Sequence, residues 1–457
     1  MGKHNFDFDY IVVGGGPAGS TIALGLARAK KRVAIIEAKT LGGPDLNYRN
    51  TLFDTGLKFS RLYHEANLGA RYGISNFGLH FNLPTMLNRQ SRIIESAYQK
   101  NLVDFETAGV TIISGVANFL SNTEIAVDGK CYTARKFIIA TGAKLKKVSI
   151  AGFGLVPFLT PEQAIQIRRL PKVVTIVGGG ATGCELAQYF ADLGSKVILF
   201  EMSDRILPRE DKEVGEIIAK YFAEKMGIVV LTGTKVVAIE RDDLSSRVVF
   251  TDGGTEKMVR TETIVMATGY EPETDLGLEN AHVKYKQSGI LVNKEMLTTA
   301  KNIYAVGDVT SVEDSSTEKS SYQASVLLSN IISKTNTSPN YSGFSRIVKT
   351  YPVVATAGFN EDDLLKRDLK YKKVLVPLTE SVSSITEDFA DGFVKLIIDK
   401  KDVLIGATIV APNADLLIQE LSFAIRNKCS IQKLAAAPHI AGTFGEVIKL
   451  AAKKLSH

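Results

Sequence analysis

A duplicated glycine pattern limits what this chain can fold into more than any other feature. Residues 8–38 and 171–201 each contain an apolar strand, three consecutive glycines, a helix and a second strand that closes on a glutamate. Alternating strands and helices of this kind predict parallel sheets joined by right-handed crossovers, because the helix returns the chain to the same edge of the sheet. The repeat therefore predicts an α/β chain with two Rossmann-like domains.

The first copy carries a dinucleotide fingerprint. Gly14, Gly16 and Gly19 have the G-x-G-x-x-G spacing between a strand and a helix, and Glu37 ends the next strand. In such a loop the first glycine permits the tight turn, the second lets the backbone approach a pyrophosphate, and the third lets helix and strand pack closely. Glu37 is placed to accept hydrogen bonds from an adenosine ribose. The alternative is an ordinary glycine turn with no ligand.

The second copy repeats the fingerprint with Gly178, Gly180 and Gly183, followed by Glu201. An acidic residue at this strand end suits a ribose with a free 2′-hydroxyl, whereas a 2′-phosphate favours arginine. Arg205 lies four positions further on and leaves NADPH open. We expect NADH to be preferred over NADPH.

A short strand that ends in Gly307-Asp308 indicates a flavin site, because an aspartate in that place can bind a ribitol hydroxyl. Two dinucleotide sites in one chain then indicate electron transfer between NAD(P)H and FAD. Apolar periodicity also predicts helices over 53–69, 88–107, 414–427 and 443–453.

Length and composition exclude several other classes of protein. A chain of 457 residues is expected to form three or four packing units. Its net charge of +6 comes from mixed signs without a basic stripe, so we expect no nucleic-acid partner. It has no uninterrupted apolar run of about 18–20 residues and no secretory pattern at its start, so we expect no membrane span and a cytoplasmic location.

The whole chain resembles the flavoprotein disulfide reductases, which include dihydrolipoamide dehydrogenase, glutathione reductase and mercuric reductase. The motifs are GGGPAG (14–19), LGG (41–43), ATGA (140–143), GGGATGCELA (178–187), ATGYEP (267–272), YAVGDV (304–309), TYPVVATAGF (350–359), GFVKLIIDK (392–400) and the segment 405–425. The resemblance implies an FAD domain (1–150), an NAD(P) domain (151–271), a central domain that completes the FAD site (272–340) and an α+β dimerisation domain (341–457). It also implies a homodimer in which one subunit completes the active site of the other.

The fingerprints and the resemblance together give two sets of cofactor-binding residues. The FAD set is Gly14, Gly16, Pro17, Ala18, Gly19, Glu37, Ala38, Gly42, Gly43, Ala117, Ala140, Thr141, Gly142, Gly307, Asp308, Gln323 and Ala324. The NAD(P) set is Gly178, Gly180, Ala181, Thr182, Gly183, Glu201, Met202 and Gly269. Ala181 stands where the family often has a larger side chain that shields the flavin, which implies a roomier nicotinamide site.

The redox-active cysteines of the family are missing. The family's Gly-Gly turn leads into a Cys-x4-Cys pair, and here Asp45 and Asn50 have that spacing. Neither side chain has redox chemistry, so flavin-to-disulfide transfer cannot occur at these positions. The three cysteines of the chain are scattered, without a CxxC or metal-ligand spacing, and we expect no metal.

Two further departures agree with this loss. The family's acid–base histidine is replaced by Ala441, while its carboxylate partner remains as Glu446. His439, two residues earlier, is either a substitute or an incidental residue, and we favour the second. The family's lysine near the flavin is replaced by Asp54; its glutamate partner remains as Glu185.

Lys58 lies one helical turn beyond Asp54 and could pair with it, and sequence alone does not settle whether it also reaches Glu185. We therefore name Glu185, Lys58, Asn50, Asp45 and Glu446 as candidate catalytic residues. One interpretation is that the approach to the flavin is lined by Asp45, Tyr48, Arg49, Asn50 and Asp54. The alternative is that this segment is a solvated loop.

These observations predict an FAD-dependent NADH oxidoreductase whose acceptor is not a disulfide, such as a quinone, dye, metal ion or oxygen. Reduced flavin is itself a donor of hydride or single electrons, so no thiol is required. One alternative is a non-catalytic nucleotide-binding flavoprotein dimer. A less favoured one retains disulfide chemistry through another thiol, such as Cys184.

Overall fold

The structure is a computed structural model that describes residues 6–43, 50–75, 78–241, 245–311 and 316–456, with only the backbone described at residue 50. The chain divides into two compact units. The first comprises Met1–Gly56, Asn82–Lys147 and Gly269–Asn340, and the second comprises Leu57–Phe81, Val148–Thr268 and Tyr341–His457.

The strands of the described residues are β1 (Phe8–Val13), β2 (Val33–Glu37), β3 (Thr111–Ser114), β4 (Ala117–Phe119), β5 (Glu124–Val127), β6 (Lys130–Ile139), β7 (Ala143–Leu145), β8 (Val173–Val177), β9 (Lys196–Phe200), β10 (Val229–Leu231), β11 (Lys235–Arg241), β12 (Ser246–Asp252), β13 (Thr255–Thr261), β14 (Thr263–Met266), β15 (Tyr270–Pro272), β16 (Tyr285–Lys286), β17 (Gly289–Ile290), β18 (Ile303–Ala305), β19 (Ser345–Val348), β20 (Val353–Gly358), β21 (Lys372–Pro377), β22 (Phe393–Ile398) and β23 (Leu404–Ala411).

The α-helices of the described residues are α1 (Pro17–Arg28), α2 (Asn50–Leu68), α3 (Leu83–Ala108), α4 (Pro161–Ala164), α5 (Ala181–Asp192), α6 (Lys212–Met226), α7 (Thr317–Ser333), α8 (Glu361–Lys366), α9 (Ser383–Thr386), α10 (Ala414–Arg426), α11 (Ile431–Ala436) and α12 (Gly445–Leu455). Short 3₁₀ turns occupy Gly69–Tyr72, Gly307–Val309 and Leu378–Glu380. None of these helices combines the length and the hydropathy needed to cross a membrane.

The first unit is built on a sheet of order β3-β2-β1-β6-β5-β4, with β18 also paired to β6. Strands β3, β2, β1, β6 and β18 run parallel, while β5 pairs antiparallel with both β6 and β4. Ile11 and Val13 enter one hydrophobic cluster, and Tyr10 and Val12 enter another on the opposite face. Burial on both faces explains why β1 is an uninterrupted apolar run, as expected for a parallel strand.

The described residues of the second unit form three sheets. The order β10-β9-β8-β14 is parallel, β11-β12-β13 is antiparallel, and β19-β20-β23-β22-β21 is antiparallel. Helix α10 packs against β20 and β23, and α12 packs against β21 and β22. The parallel sheet matches the predicted second Rossmann-like domain, and the five-stranded sheet with its helices matches the predicted α+β domain.

A buried ion cluster joins these two parts of the second unit. Lys395 of β22 is 0% exposed, and its ammonium lies 3.0 Å from Asp211 Oδ2, 3.3 Å from Glu213 Oε2 and close to Glu361. Burial raises the pKa of the Asp211 carboxyl. Burial also acts to raise the pKa of Glu361, but hydrogen bonds from Lys373, Lys395 and Tyr371 outweigh it and lower that pKa to about 2. The ammonium therefore occupies the centre of the carboxylates, the position that a bound cation would take.

Candidate dinucleotide sites

Two glycines of the first fingerprint are required by the protein itself. Gly14 has φ +104°, and a Cβ on it would lie 2.3 Å from the carbonyl oxygen of Ala140. A Cβ on Gly19 would lie 1.9 Å from the carbonyl oxygen of Gly14. Strand β1, helix α1 and the end of β6 consequently meet without side chains between them, which brings the loop to the carboxyl edge of the sheet.

Gly16 is different, because nothing in the described protein requires a glycine there. Its φ is −71°, which any residue adopts, and no protein atom lies within 4 Å of where its Cβ would be. It is the N-cap of α1, makes no side-chain cap, and precedes Pro17 and Ala18 in the first turn. The open space at the α1 N-terminus, where the first N–H groups of a helix have no intrahelical partner, fits an anionic pyrophosphate.

Glu37 shapes the same loop. Its Oε2 accepts a hydrogen bond from Gly15 N at 2.7 Å, and its Oε1 accepts one from Lys39 N at 2.8 Å, across Ala38. A carboxylate oxygen has two lone pairs, so each retains acceptor capacity for a ribose hydroxyl. The backbone contacts fix the carboxylate in place for that purpose.

The remaining residues of the predicted FAD set line the same sheet edge or lie beneath it. Gly42 N donates to Gly15 O at 2.8 Å, and a Cβ on Gly43 would lie 2.7 Å from Gly16 Cα. Ala140, Thr141 and Gly142 follow β6, and Thr141 Oγ1 donates to Glu273 O at 2.8 Å. Ala117 (4% exposed) and Ala324 (0%) are packed in the core.

Asp308 lies where a flavin-binding aspartate is predicted, directly after β18. Gly307 N donates to Gln323 Oε1 at 2.7 Å, and Ser320 Oγ donates to Asp308 Oδ1 at 3.2 Å. Because β18 pairs with β6 in parallel, Asp308 and the loop after β6 lie at the same edge of the sheet. The unit thus brings most of the predicted FAD set together.

The second fingerprint repeats this geometry within the second unit. Gly178 has φ +111° and its Cβ would lie 2.4 Å from Ala267 O, while a Cβ on Gly183 would lie 1.8 Å from Gly178 O. Gly180, with φ −72°, again has no protein atom of the described chain within 4 Å of its Cβ position. The hydroxyl of Thr268 is buried beside this loop without a hydrogen-bond partner in the described residues.

Glu201 anchors this loop as Glu37 anchors the first. Its Oε2 accepts from Gly179 N at 2.7 Å and its Oε1 from Ser203 N at 2.8 Å, around an exposed Met202. The open space, the orphaned hydroxyl and the anchored carboxylate fit a dinucleotide. Gly269 of the predicted set belongs instead to the first unit, where its carbonyl accepts from Lys146 N at 3.0 Å.

Arg205 forms ion pairs with two carboxylates of the protein. Its guanidinium contacts Asp362 Oδ2 at 3.0 Å and Asp204 Oδ1 at 3.3 Å. Its aliphatic stem passes 3.5 Å from where a Cβ of Gly215 in α6 would lie. This arrangement directs the guanidinium towards α8.

The predicted role of Glu185 stays a prediction, and the structure gives its carboxylate a backbone contact. Glu185 Oε1 accepts from Lys349 N at 2.8 Å. Lys58, the residue predicted to pair with Asp54, is exposed. The predicted roles of Lys58 and Asp54 stay predictions as well.

His64, which sequence analysis did not single out, contacts Asp192 at the end of α5. His64 Nδ1 is 2.8 Å from Asp192 Oδ1, whose side chain is 1% exposed, and His64 Nε2 is 3.4 Å from the hydroxyl of Tyr221. Burial raises the pKa of Asp192, and the hydrogen bond from His64 opposes that rise. No local sequence pattern signals this contact, because the residues lie 128 positions apart.

In the C-terminal segment, His439 and Glu446 contact different partners. His439 Nε2 lies 3.1 Å from Glu420 Oε1, and its Nδ1 lies 3.1 Å from Ala437 O. Glu446 instead accepts from Gly442 N at 3.3 Å and from Ser381 Oγ at 3.4 Å. His439 does not pair with Glu446, so it does not rebuild the family's acid–base pair within the chain.

The cysteines are all free. Cys184 is 0% exposed and its thiol donates to Gly179 O at 3.3 Å. Burial raises the pKa of this thiol well above its ordinary value, which disfavours the reactive thiolate.

Of the residues predicted to line the acceptor site, Asp45, Tyr48 and Arg49 lie outside the described residues. The side chain of Asn50, which begins α2, also lies outside them.

Comparisons with known proteins match nearly the whole chain. The family model described as pyridine nucleotide-disulphide oxidoreductase matches residues 8–327, and the model of that family's dimerisation domain matches residues 344–452. A dihydrolipoyl dehydrogenase of Staphylococcus aureus is 30% identical over 470 residues, covering 99% of this chain and 98% of the relative. A mercuric reductase of Bacillus cereus is 28% identical over 453 residues, covering 98% of this chain and 71% of the relative.

Solved structures show the same fold. The HOCl-induced flavoprotein disulfide reductase RclA from Escherichia coli superposes with a TM-score of 0.85 at 23% identity, covering 97% of this chain and 99% of that one. LpdA from Mycobacterium tuberculosis gives 0.86 at 24% identity, with 98% and 99% covered. The predicted fold class and family resemblance are confirmed, while the four domain boundaries stay predictions.

Proposed function

The chain belongs to the pyridine nucleotide-disulphide oxidoreductase family, which is FAD-dependent, and from this premise we propose that it is an NADH oxidoreductase whose electron acceptor is not a disulfide. Bound FAD supplies the hydride and electron chemistry of such an enzyme. The acceptor classes we propose are quinones, dyes, metal ions and oxygen.

One observation carries the proposal: both dinucleotide loops are built for a ligand, while the redox pair is absent from the sequence. Gly16 and Gly180 are glycines that no described protein contact requires. Asp45 and Asn50 stand at the positions of the two thiols. Retention of the cofactor loops without the thiols favours direct transfer from flavin to acceptor over disulfide reduction.

The chain's own residues would bind and orient the cofactors. The α1 and α5 N-termini would hold the pyrophosphates of FAD and the nicotinamide dinucleotide, with Glu37 and Glu201 on the adenosine riboses. Asp308 would hold the flavin ribitol. Glu185, Lys58, Asn50, Asp45 and Glu446 stay candidates for contact with the reacting groups.

The contacts of Arg205 support NADH as the coenzyme. A ribose 2′-phosphate needs a cation near Glu201, and the guanidinium of Arg205 is held by Asp362 and Asp204 instead. Glu201, a carboxylate, repels a 2′-phosphate and accepts from a 2′-hydroxyl. We therefore propose that NADH is bound more tightly than NADPH.

The dimerisation domain supports self-association, and we propose a homodimer. Leu416 and Phe423 of α10 are 71% and 72% exposed, and Ile440, in the segment after α11, is 78% exposed. Large apolar side chains with this exposure are typical of surfaces that are covered in an assembly. We expect a second copy of the chain to cover them.

Anaerobic stopped-flow spectroscopy of the purified yellow protein tests the proposed function. Mixing with NADH should bleach the flavin absorbance, more efficiently than NADPH, and adding a quinone, a dye, a metal ion or oxygen should restore it. Lipoamide and oxidised glutathione should not. Flavin that stays oxidised with both coenzymes would indicate a non-catalytic nucleotide-binding dimer instead.

A further inference from the structure

A cavity of about 600 Å³ lies within the first unit, beside strands β6 and β18 and the end of α7. Lys136 of β6 and Tyr304 of β18 line it, together with Lys334 and Thr335, which follow α7. Its volume is within the range of about 300–1,000 Å³ that is usual for small-molecule sites. The cavity is therefore large enough to enclose a metabolite-sized ligand.

The cavity is separate from the predicted FAD site. Lys136 precedes Ala140, which belongs to the predicted FAD set, by four positions, or about 13 Å of extended strand. Gln323 of α7 accepts from Gly307 N at 2.7 Å, and Lys334 follows it by 11 positions, or about 16 Å of helix. Both measures place the cavity at the end of the parallel sheet opposite to the glycine loop.

Two lysines determine the charge of the cavity. Lys136 is half-buried, and its Nζ lies 3.5 Å from the Tyr304 hydroxyl and 5.4 Å from the centre of the Tyr304 ring. An ammonium has three N–H donors, so this one long contact leaves two of them for solvent or a ligand. Among the described residues, no ion pair involves Lys136 or Lys334, although Glu295 lines the same cavity. Two cations and one carboxylate give the cavity one excess positive charge.

A buried amide fixes the part of the cavity wall that follows α7. Asn330, which is 8% exposed, accepts from Thr335 Oγ1 and from Thr337 N, both at 2.9 Å, and its Nδ2 donates to Thr337 O at 2.8 Å. Leu327, 1% exposed, and the half-buried Ile331 add apolar surface from the same helix. A few fixed polar groups beside apolar side chains are characteristic of sites for organic ligands.

We propose that this cavity binds an organic anion, a carboxylate or a phosphate ester, whose charge pairs with Lys136 and Lys334. The body of the ligand packs against Leu327 and Ile331. Lysine binds either anionic group as a compact point charge on a flexible stem. The single excess positive charge suits a ligand of low charge rather than a polyanion. Neither dinucleotide occupies this part of the chain in the proposed function, so the two proposals can fail independently.

Isothermal titration calorimetry of the FAD-loaded protein with benzoate and with phenyl phosphate tests the proposal. The two anions share an aromatic ring and differ in the charged group, so they distinguish a carboxylate site from a phosphate-ester site. We expect at least one of them to bind. Benzamide, which is neutral and has nearly the shape of benzoate, should bind at least about tenfold more weakly than the better anion, because it lacks the charge-assisted contacts.

Variants assign the binding to the cavity. Lys136→Met should weaken binding of the better anion about fivefold to tenfold, a modest change because solvent partly screens the pair. Lys136→Arg should retain most of the affinity, since it keeps a long cationic side chain. Lys100→Met is the matched control: it removes an exposed lysine of the same unit from α3, outside the cavity, and should leave binding unchanged. Thermal unfolding checks that each variant is folded.

The outcomes separate this site from the coenzyme sites. Equal binding of benzamide and the anions would overturn the proposal, as would wild-type affinity in a folded double variant, Lys136→Met with Lys334→Met. Failure of both anions to bind the wild type, or their displacement by NADH, would also overturn it. A protein that binds the anion through Lys136 but whose flavin is not reduced by NADH would support this site while refuting the proposed function.

Discussion

Replacing Gly180 by alanine separates coenzyme binding from folding. The backbone at Gly180 has φ −72° and ψ −174°, and no described protein atom lies within 4 Å of the new methyl group. Restricting the unfolded chain stabilises a compatible Gly→Ala variant by about 0.4–1 kcal/mol. Alanine is a poorer N-cap than glycine by a similar amount, about 0.5–1 kcal/mol, so the two effects nearly cancel.

Coenzyme binding should respond very differently. The methyl group would enter the space that we assign to the pyrophosphate, and forcing a methyl group into a packed contact costs about 1–3 kcal/mol. At about 1.4 kcal/mol per tenfold change, NADH should bind roughly fivefold to 150-fold more weakly. Thermal unfolding should change by only a few degrees, and the flavin should stay bound, because the first fingerprint is untouched.

The matched control is Gly178→Ala in the same loop. Its methyl group would lie 2.4 Å from Ala267 O on a backbone with φ +111°, so this variant should lose stability as well as binding. The assays are urea unfolding for stability and fluorescence titration for NADH affinity. Unchanged NADH affinity in a stable Gly180→Ala protein would refute the placement of the pyrophosphate at this helix.

Four other predictions concern stability, chemistry and assembly. Lys395→Met should destabilise the protein by about 3–5 kcal/mol in urea unfolding, because it leaves the buried Asp211 carboxylate without its ammonium; a loss below about 1 kcal/mol would contradict this. Glu361→Gln should cost about 1–2 kcal/mol near pH 7, after allowance for solvent screening, since the pKa of Glu361 is lowered from 4.5 to about 2. That contribution is fully present above pH 4.5 and is lost as the pH falls towards 2, so the difference between variant and wild type should shrink over this range; a constant difference would exclude the linkage. Replacing all three cysteines by serine should leave NADH turnover with a quinone unchanged, and a large loss would indicate a redox thiol. Phe423→Asp should shift the protein towards monomers in analytical ultracentrifugation, whereas a persistent dimer would place the interface elsewhere.

The helices that the sequence predicted lie close to helices of the structure, with errors at the boundaries. Helix α10 was expected over 414–427 and occupies Ala414–Arg426, and α2 was expected over 53–69 and occupies Asn50–Leu68. Helix α3 begins at Leu83 rather than at residue 88. The sequence does contain a signal for this earlier start, because Asn82 caps the helix by accepting from Thr85 N and Pro84 occupies its first turn.

Local patterns also determined the cofactor loops and the missing chemistry. Glycine spacing, a preceding apolar strand and an acidic strand end are all within about 30 residues, so the sequence displays them directly. The absence of thiols at positions 45 and 50 is a matter of residue type and needs no coordinates. Fold class, family and the two dinucleotide loops therefore followed from the chain as written.

Tertiary structure alone decided which polar and charged groups from distant parts of the chain contact each other. Glu185 contacts Lys349, Arg205 contacts Asp362, and Lys395 lies among carboxylates of two other elements, at separations of 164, 157 and up to 184 residues. His439 similarly contacts Glu420 rather than its neighbour in the motif, Glu446. Such pairs depend on how sheets and helices pack, and no periodicity of the sequence encodes a contact between residues so far apart. Each buried charge is satisfied by whichever opposite charge the fold brings to it, because an unpaired charge in the interior is too costly to retain.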